Sequence, residues 1–224
     1  MPKTYQHKER IAVFDIDETL LLGTSAEIQL IRFLYKQKII KVRNILKSLI
    51  NTLISVFQGI NQVIYRKSGY LEGFEKKIIL SHLSPLFNQY IWPRVSRKLL
   101  YELEKLKKEN YEIIIISGTL DFLLNFFIAK VGADGGVGSH METKKGRFSG
   151  RITGIYPYRK GKIKALKHYL RDREVDYIHS YAFADSIADL PLLKLFGNPV
   201  AVNPGFLLWF RAKLKGWKIM RIKE

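Results

Sequence analysis

The sequence contains no cysteine among its 224 residues. That absence excludes disulfide staples, thiolate nucleophiles and every metal centre built on sulfur. It fits a reducing compartment, because disulfides form and persist in oxidising ones. Acidic residues are scarce as well. Only 20 Asp and Glu stand against 38 Lys and Arg, a formal charge of +18. Such a bias is either a solvated basic surface or an attraction to something anionic: a phosphorylated small molecule, nucleic acid or an acidic membrane. Histidine is sparse, and His7, His82, His140, His168 and His179 show no metal-ligand spacing. Residues 1–10 lack the apolar core of a secretory signal and run into a strand pattern, so no signal peptide is expected. The longest uncharged run, residues 48–65, holds Asn51, Gln58, Asn61 and Gln62. Those amides would be costly in hydrocarbon, so a membrane-spanning helix is not expected and a cytoplasmic location is.

What is present argues for a packed globule. Apolar residues make up 47% and aromatics 12% of the chain, too much for disorder. The length suits one large domain, or one domain carrying an insertion. Short apolar runs lie at residues 11–16, 113–116, 181–184 and 199–202. Each stops at a small or polar residue and hands over to a helical pattern, at 121–131, 162–171, 190–196 and 206–215. Strand followed by helix, repeated, predicts a Rossmann-like parallel α/β sheet with helices on both faces. Its site is expected at the carboxyl ends of the strands. Glycines around residues 146–152 predict a β-hairpin there. Trp209, Phe210 and Trp217 are expected to pack on the sheet, and Phe122, Phe126 and Phe127 to be core.

Residues 24–96 break the alternation. Val42, Leu46, Leu49, Leu53, Val56, Ile60 and Val63 recur at steps of 4 and 3, the stripe of an amphipathic helix. This segment is read as an inserted α-helical cap with the stripe as its own core; residues 1–23 and 97–224 form the α/β domain. A second reading of the stripe is a surface lying on anionic lipid. From residue 24 to 98 there are 13 Lys and Arg and 3 Glu, so most of the excess charge sits in the insertion.

Four motifs fall at strand ends. Asp15 and Asp17 close the first run. In an extended segment they would share a side, and neighbouring carboxylates resist ionising together. That split can make one a nucleophile and the other a general acid; the alternative is an acidic helix cap. Ser117 and Gly118 offer a hydroxyl and an open backbone N–H, an anion site or a plain N-cap. Lys162, with Lys160 as rival, could neutralise phosphoryl oxygens. Asp185 and Asp189 add hard oxygen donors which, with Asp15, suit Mg2+ rather than Zn2+.

In this order the motifs DIDETL, SGT, a lysine at 162 and DSIAD resemble the haloacid dehalogenase superfamily of phosphohydrolases. The likeness runs from residue 11 to about 217, and the helical insertion is similar to the cap of the phosphoserine-phosphatase-like subfamily. The resemblance implies a Mg2+-dependent phosphomonoester hydrolase working through an aspartyl-phosphate. Asp15 would be the nucleophile and Asp17 the acid and base. Ser117, Gly118 and Lys162 would hold the phosphoryl group, Lys162 being preferred for its interval to Asp185. The Asp15 carboxylate, the Asp17 carbonyl and Asp185 would bind Mg2+, with Asp189 supporting. Phosphoserine phosphatases carry an acid soon after the first motif to hold the substrate amine. Here Glu27 is the acid available, slightly later in the chain, and the basic insertion favours a more anionic or lipid-like phosphate. Thr24, Glu27 and Arg66 are the candidate substrate contacts.

The expected partners are a small phosphorylated substrate and, peripherally, an anionic membrane; nucleic acid is not expected. Two rivals remain at this level. A phospho-aspartate signalling receiver would not release phosphate steadily from an aryl phosphate. A non-catalytic module binding membrane or nucleic acid would show salt-dependent polyanion binding indifferent to Asp15→Asn.

Overall fold

The apolar runs become strands because each alternates side chains between two buried faces. In the computed structural model, which describes residues 9–57 and 69–223 (side chains of 51–57 excepted), β1 (Ile11–Phe14) points Ala12 and Phe14 into one core and Ile11 and Val13 into the other. Strand β2 (Glu112–Leu120) divides Ile113 and Ile115 from Ile114 and Ile116 in the same way. Such two-sided burial is the mark of a parallel sheet covered by helices. The remaining strands are β3 (Gly135–Lys144), β4 (Arg147–Thr153), β5 (Tyr181–Ala184), β6 (Asn198–Val202) and β7 (Lys218–Met220). They form one sheet in the order β4-β3-β2-β1-β5-β6-β7, parallel except for the β3–β4 pair. The expected α/β sheet is therefore present, with β1 at its centre. At mid-sheet Phe14 stacks on Phe183, ring centroids 4.2 Å apart.

The hairpin is larger than the sequence pattern suggested. Its turn sits at Lys145 and Gly146, both with positive φ, and its first arm is residues 140–144 of β3, whose earlier residues pair with β2. Consecutive positive φ values give the tight turn that matches strand twist. Glycines at 135, 136 and 138 hid that strand. Gly136 and Gly138 sit against crowded backbone, a β-carbon on Gly136 lying 2.2 Å from the Ile115 carbonyl oxygen, and Gly135 sits against the Tyr169 ring.

Helices α1 (Ala26–Lys36), α2 (Val42–Phe57), α3 (Lys76–Ser81) and α4 (Leu83–Leu86) lie between β1 and β2, before α5 (Arg97–Lys108). Ser25 and Ser96 cap α1 and α5 through their hydroxyls, satisfying N–H groups that lack a helical partner. Leu30, Phe33, Leu71 and Phe87 from this region share one continuous core with Phe14 and Phe127 of the sheet layer. The hairpin grips the same region: Gly73 donates to the Phe148 carbonyl and Phe148 to that of Phe74. Among the described residues no helix is long and apolar enough to cross a membrane. Beyond β2 come α6 (Asp121–Val131), α7 (Lys160–Leu170), α8 (Leu190–Leu193) and α9 (Phe206–Leu214).

Two packing expectations need correction. Val42, Leu46 and Leu49 on α2 are at least half exposed rather than a cap core, and the stripe from residue 51 onward lies outside the described side chains. Phe210 is exposed, whereas Trp217 packs against the sheet's second face and Trp209 is half-buried. In both helices the period told which residues share a face, and not whether anything covers it.

Because Phe14 is wholly buried and stacked, Phe14→Ala is expected to cost about 3–5 kcal/mol. The thermal midpoint should fall by roughly 10 °C, measured by calorimetry.

Candidate active site

Every motif residue sits at the carboxyl edge of the sheet, and the local backbone decides where each side chain goes. Strand β1 ends at Phe14; the Asp15 N–H still pairs with the Phe183 carbonyl at 3.0 Å. The chain then turns. Thr19 and Leu21 both donate to the Ile16 carbonyl, and Glu18 takes a φ of 59°. Past Asp15 the backbone is therefore a turn rather than a plain extended segment. The Asp17 carboxylate is held by the Ala26 N–H at 2.8 Å and the Thr119 hydroxyl at 3.1 Å. The first of these anchors is the start of α1, where the helix end favours a negative charge.

Ser117 and Thr119 lie in the last residues of β2, not at the mouth of the following helix. Thr119 donates to Asp17 and accepts from Ser117 at 3.1 Å, so a line of hydroxyls joins the second motif to the first. Gly118 is half-buried beside them, its carbonyl accepting from Ser139 at 2.7 Å.

Lys162 is the third residue of α7 and is buried, while its rival Lys160 is exposed. Its Nζ lies 2.9 Å from Asp15 Oδ1 and 2.6 Å from Asp189 Oδ1. Burial works against the charged ammonium, yet the attraction of Asp15 and then Asp189 carries its pKa above the ordinary lysine value. The preceding Gly161 is what lets the helix start so close, since a β-carbon there would be 2.1 Å from the Tyr156 carbonyl oxygen.

Asp185 ends β5, and Asp189 follows in a short turn. The carboxylate oxygens of Asp15, Asp185 and Asp189 lie within 4.8 Å of one another. Burial, and then the negative charges of Asp15 and Asp189, push Asp185 up to about 7. Burial also raises Asp189 to about 6, with Asp15 adding to the rise and Lys162 opposing it. One ammonium faces three carboxylates, and among the described residues no basic side chain pairs with Asp185. The surplus negative charge and the all-oxygen donors fit a small hard divalent cation such as Mg2+.

The candidate substrate contacts are divided. Thr24 and Glu27 are buried at the start of α1, Thr24 accepting from the Gln29 amide at 2.7 Å. The Tyr70 hydroxyl faces Glu27, and burial with that carboxylate beside it drives Tyr70 well above the ordinary tyrosine value. Arg66 lies outside the described residues. Sequence reasoning missed Thr119, which orients Asp17, and Thr19, whose hydroxyl donates to Asp185 at 3.2 Å. Their nearness to Asp17 and Ser117 in the chain was the available signal.

A central parallel sheet with acids, hydroxyls and a buried lysine gathered on its carboxyl edge is the setting of a hydrolase for phosphate chemistry. The haloacid dehalogenase-like hydrolase family matches residues 12–194, and the chain belongs to that family. It is 29% identical to a histidinol-phosphatase of Neisseria meningitidis serogroup C (strain 8013), over 96% of this chain and 100% of that one. A protein of unknown function from Bordetella pertussis Tohama I superposes with a TM-score of 0.82 at 21% identity, covering 95% of this chain and 98% of that one. Phosphoserine phosphatase in its apo form follows with a TM-score of 0.67 at 16% identity, covering 96% and 94%.

The raised carboxyls carry a linkage consequence. Between about pH 4 and pH 7 the native metal-free state holds protons on Asp185 and Asp189 that the unfolded chain has released. Stability from these groups therefore falls as pH rises through that window. Thermal scans of chelator-treated protein should show a lower midpoint at pH 8 than at pH 5, with Mg2+ closing much of the gap.

Proposed function

We propose that this phosphatase is a Mg2+-dependent phosphomonoester hydrolase that works through an aspartyl-phosphate on Asp15. The carrying observation is the buried contact of Lys162 with both Asp15 and Asp189. It sets a fixed cation beside a carboxylate that has been taken out of water, as phosphoryl transfer requires.

In the first step an Asp15 oxygen bonds to phosphorus as the ester P–O bond breaks, and Asp17 gives its proton to the leaving oxygen. In the second, Asp17 takes a proton from water, whose oxygen attacks phosphorus and frees Asp15. Splitting one hard hydrolysis in two lowers each barrier. The Ser117 hydroxyl, the Gly118 N–H and Lys162 bind the phosphoryl oxygens, positioned before the charge on them develops. Mg2+, held by the Asp15 and Asp185 carboxylates and the Asp17 carbonyl with Asp189 behind them, would neutralise charge on the transferring group.

Residues 24–96 act in this reading as the cap over the site, joined to a core of residues 1–23 and 97–224. Its buried Glu27 follows Ala26, the residue that holds Asp17. A carboxylate so placed favours a small phosphorylated metabolite with a cationic group, as in phosphoserine. The basic character of residues 24–98 supports a second reading, a more anionic or lipid-like phosphate.

Asp15→Asn should abolish turnover of an aryl phosphate while the circular dichroism spectrum is kept, and near-normal activity in that variant sinks the assignment. Chelation of divalent ions should stop turnover and Mg2+ restore it. In a phosphatase screen, amino-alcohol phosphates turning over faster than lipid phosphates would favour the first substrate reading.

A further inference from the structure

We propose that helix α9 is a membrane-docking element that rests on the surface of a bilayer rich in anionic phospholipid. The helix has two faces of opposite use. Leu208 and Ala212 are buried against the sheet's second face. Opposite them stand Phe206, Leu207, Phe210 and Leu214, with exposures of 74, 62, 49 and 64%. At about 100° per residue these four fall within an arc of about 100°, a continuous ridge rather than scattered apolar side chains.

Charge frames the ridge. On the same wheel, Arg211 lies on one side of it and Lys213 on the other, each about 80° from its centre. Both are exposed, as are Lys215, Lys218, Arg221 and Lys223. From residue 190 to 223 there are seven Lys and Arg and no Asp or Glu. No ion pair among the described residues uses any of the cations after residue 194. An apolar ridge flanked by long cationic side chains is the arrangement of an interfacial helix, in which the ridge enters the acyl boundary and the cations reach lipid phosphates. Trp209, half-buried and stacked with Phe206 at 6.1 Å, adds an amphipathic ring at the depth of the headgroups.

Charge complementarity chooses between occupants. A second copy placed face to face by a twofold axis would bring Arg211, Lys213 and Lys215 against their own mates, with no acid between residues 190 and 223 to answer them. An anionic lipid surface answers the same cations with phosphate.

The test uses the full chain with vesicles of equimolar phosphatidylglycerol and phosphatidylcholine, against vesicles of phosphatidylcholine alone. Cosedimentation is expected with the anionic vesicles, at least about tenfold above the neutral ones, and weakening as salt is raised. Leu207→Glu together with Phe210→Glu should abolish it while aryl phosphate turnover stays unchanged. Arg211→Gln with Lys213→Gln leaves the ridge intact and serves should the acidic pair fail to fold; binding should fall about tenfold. Equal binding to neutral vesicles, or binding indifferent to either pair, overturns the proposal. So does a dimer in analytical ultracentrifugation that the Leu207→Glu, Phe210→Glu variant dissociates, for then a second copy covers the ridge.

Discussion

One buried ammonium makes the rest of the site possible. Lys162 touches both Asp15 and Asp189 in a place from which water is almost excluded. Three carboxylates that close together repel one another strongly in a medium of low dielectric. Their mutual aversion is visible in the raised Asp185 and Asp189. Without the lysine the strand ends that carry them would be pushed apart. With it, the cluster is tolerable but still short of positive charge, which is the condition a divalent ion relieves. Ground-state strain of this kind is stored where function needs it and compensated by the surrounding fold. Here that compensation is the stack of Phe14 on Phe183 and the two-sided burial of β1 and β2.

The fold was legible where hydrophobic runs were continuous. Four consecutive isoleucines at residues 113–116 can only belong to a strand buried on both faces, and β2 is that strand. Strand β3 was not legible, because three glycines near its start answer to close neighbours, Tyr169 at Gly135 and backbone at Gly136 and Gly138, rather than to side-chain pattern. In the site, types and order pointed to Asp15, Lys162, Asp185 and Asp189 before any contact was known. The preference for Lys162 over Lys160 rested on the interval to Asp185, and burial agrees with it: Lys162 is buried and Lys160 exposed. The roles of Thr19 and Thr119 depend on a turn and on a cross-strand approach, and no spacing rule encodes either. The ridge on α9 was not legible: a helix was expected at residues 206–215, but Phe210 was expected to pack on the sheet and is exposed.

The helical insertion is bound to the sheet layer more thoroughly than a separate lid would be. Phe33, Leu71 and Phe87 pack in the same cluster as Phe14 and Phe127, and the β3–β4 hairpin fastens residues 73 and 74 by main-chain bonds. Arg147 strengthens that clasp by reaching the Gly73 carbonyl and the Glu75 carboxylate. The basic charge of these helices is therefore carried as part of one packed body with the sheet layer. A long-range field of this sort attracts anions and is damped by salt.

The bond from the Ala26 N–H to Asp17 has a consequence for timing. Because the carboxylate is steered by the first turn of α1, its aim is hostage to that helix. Any displacement of α1 would leave the carboxylate held by the Thr119 hydroxyl without the Ala26 N–H. The arrangement is an interlock: under the proposed mechanism, Asp17 is aimed for proton transfer only while the first turn of α1 is seated.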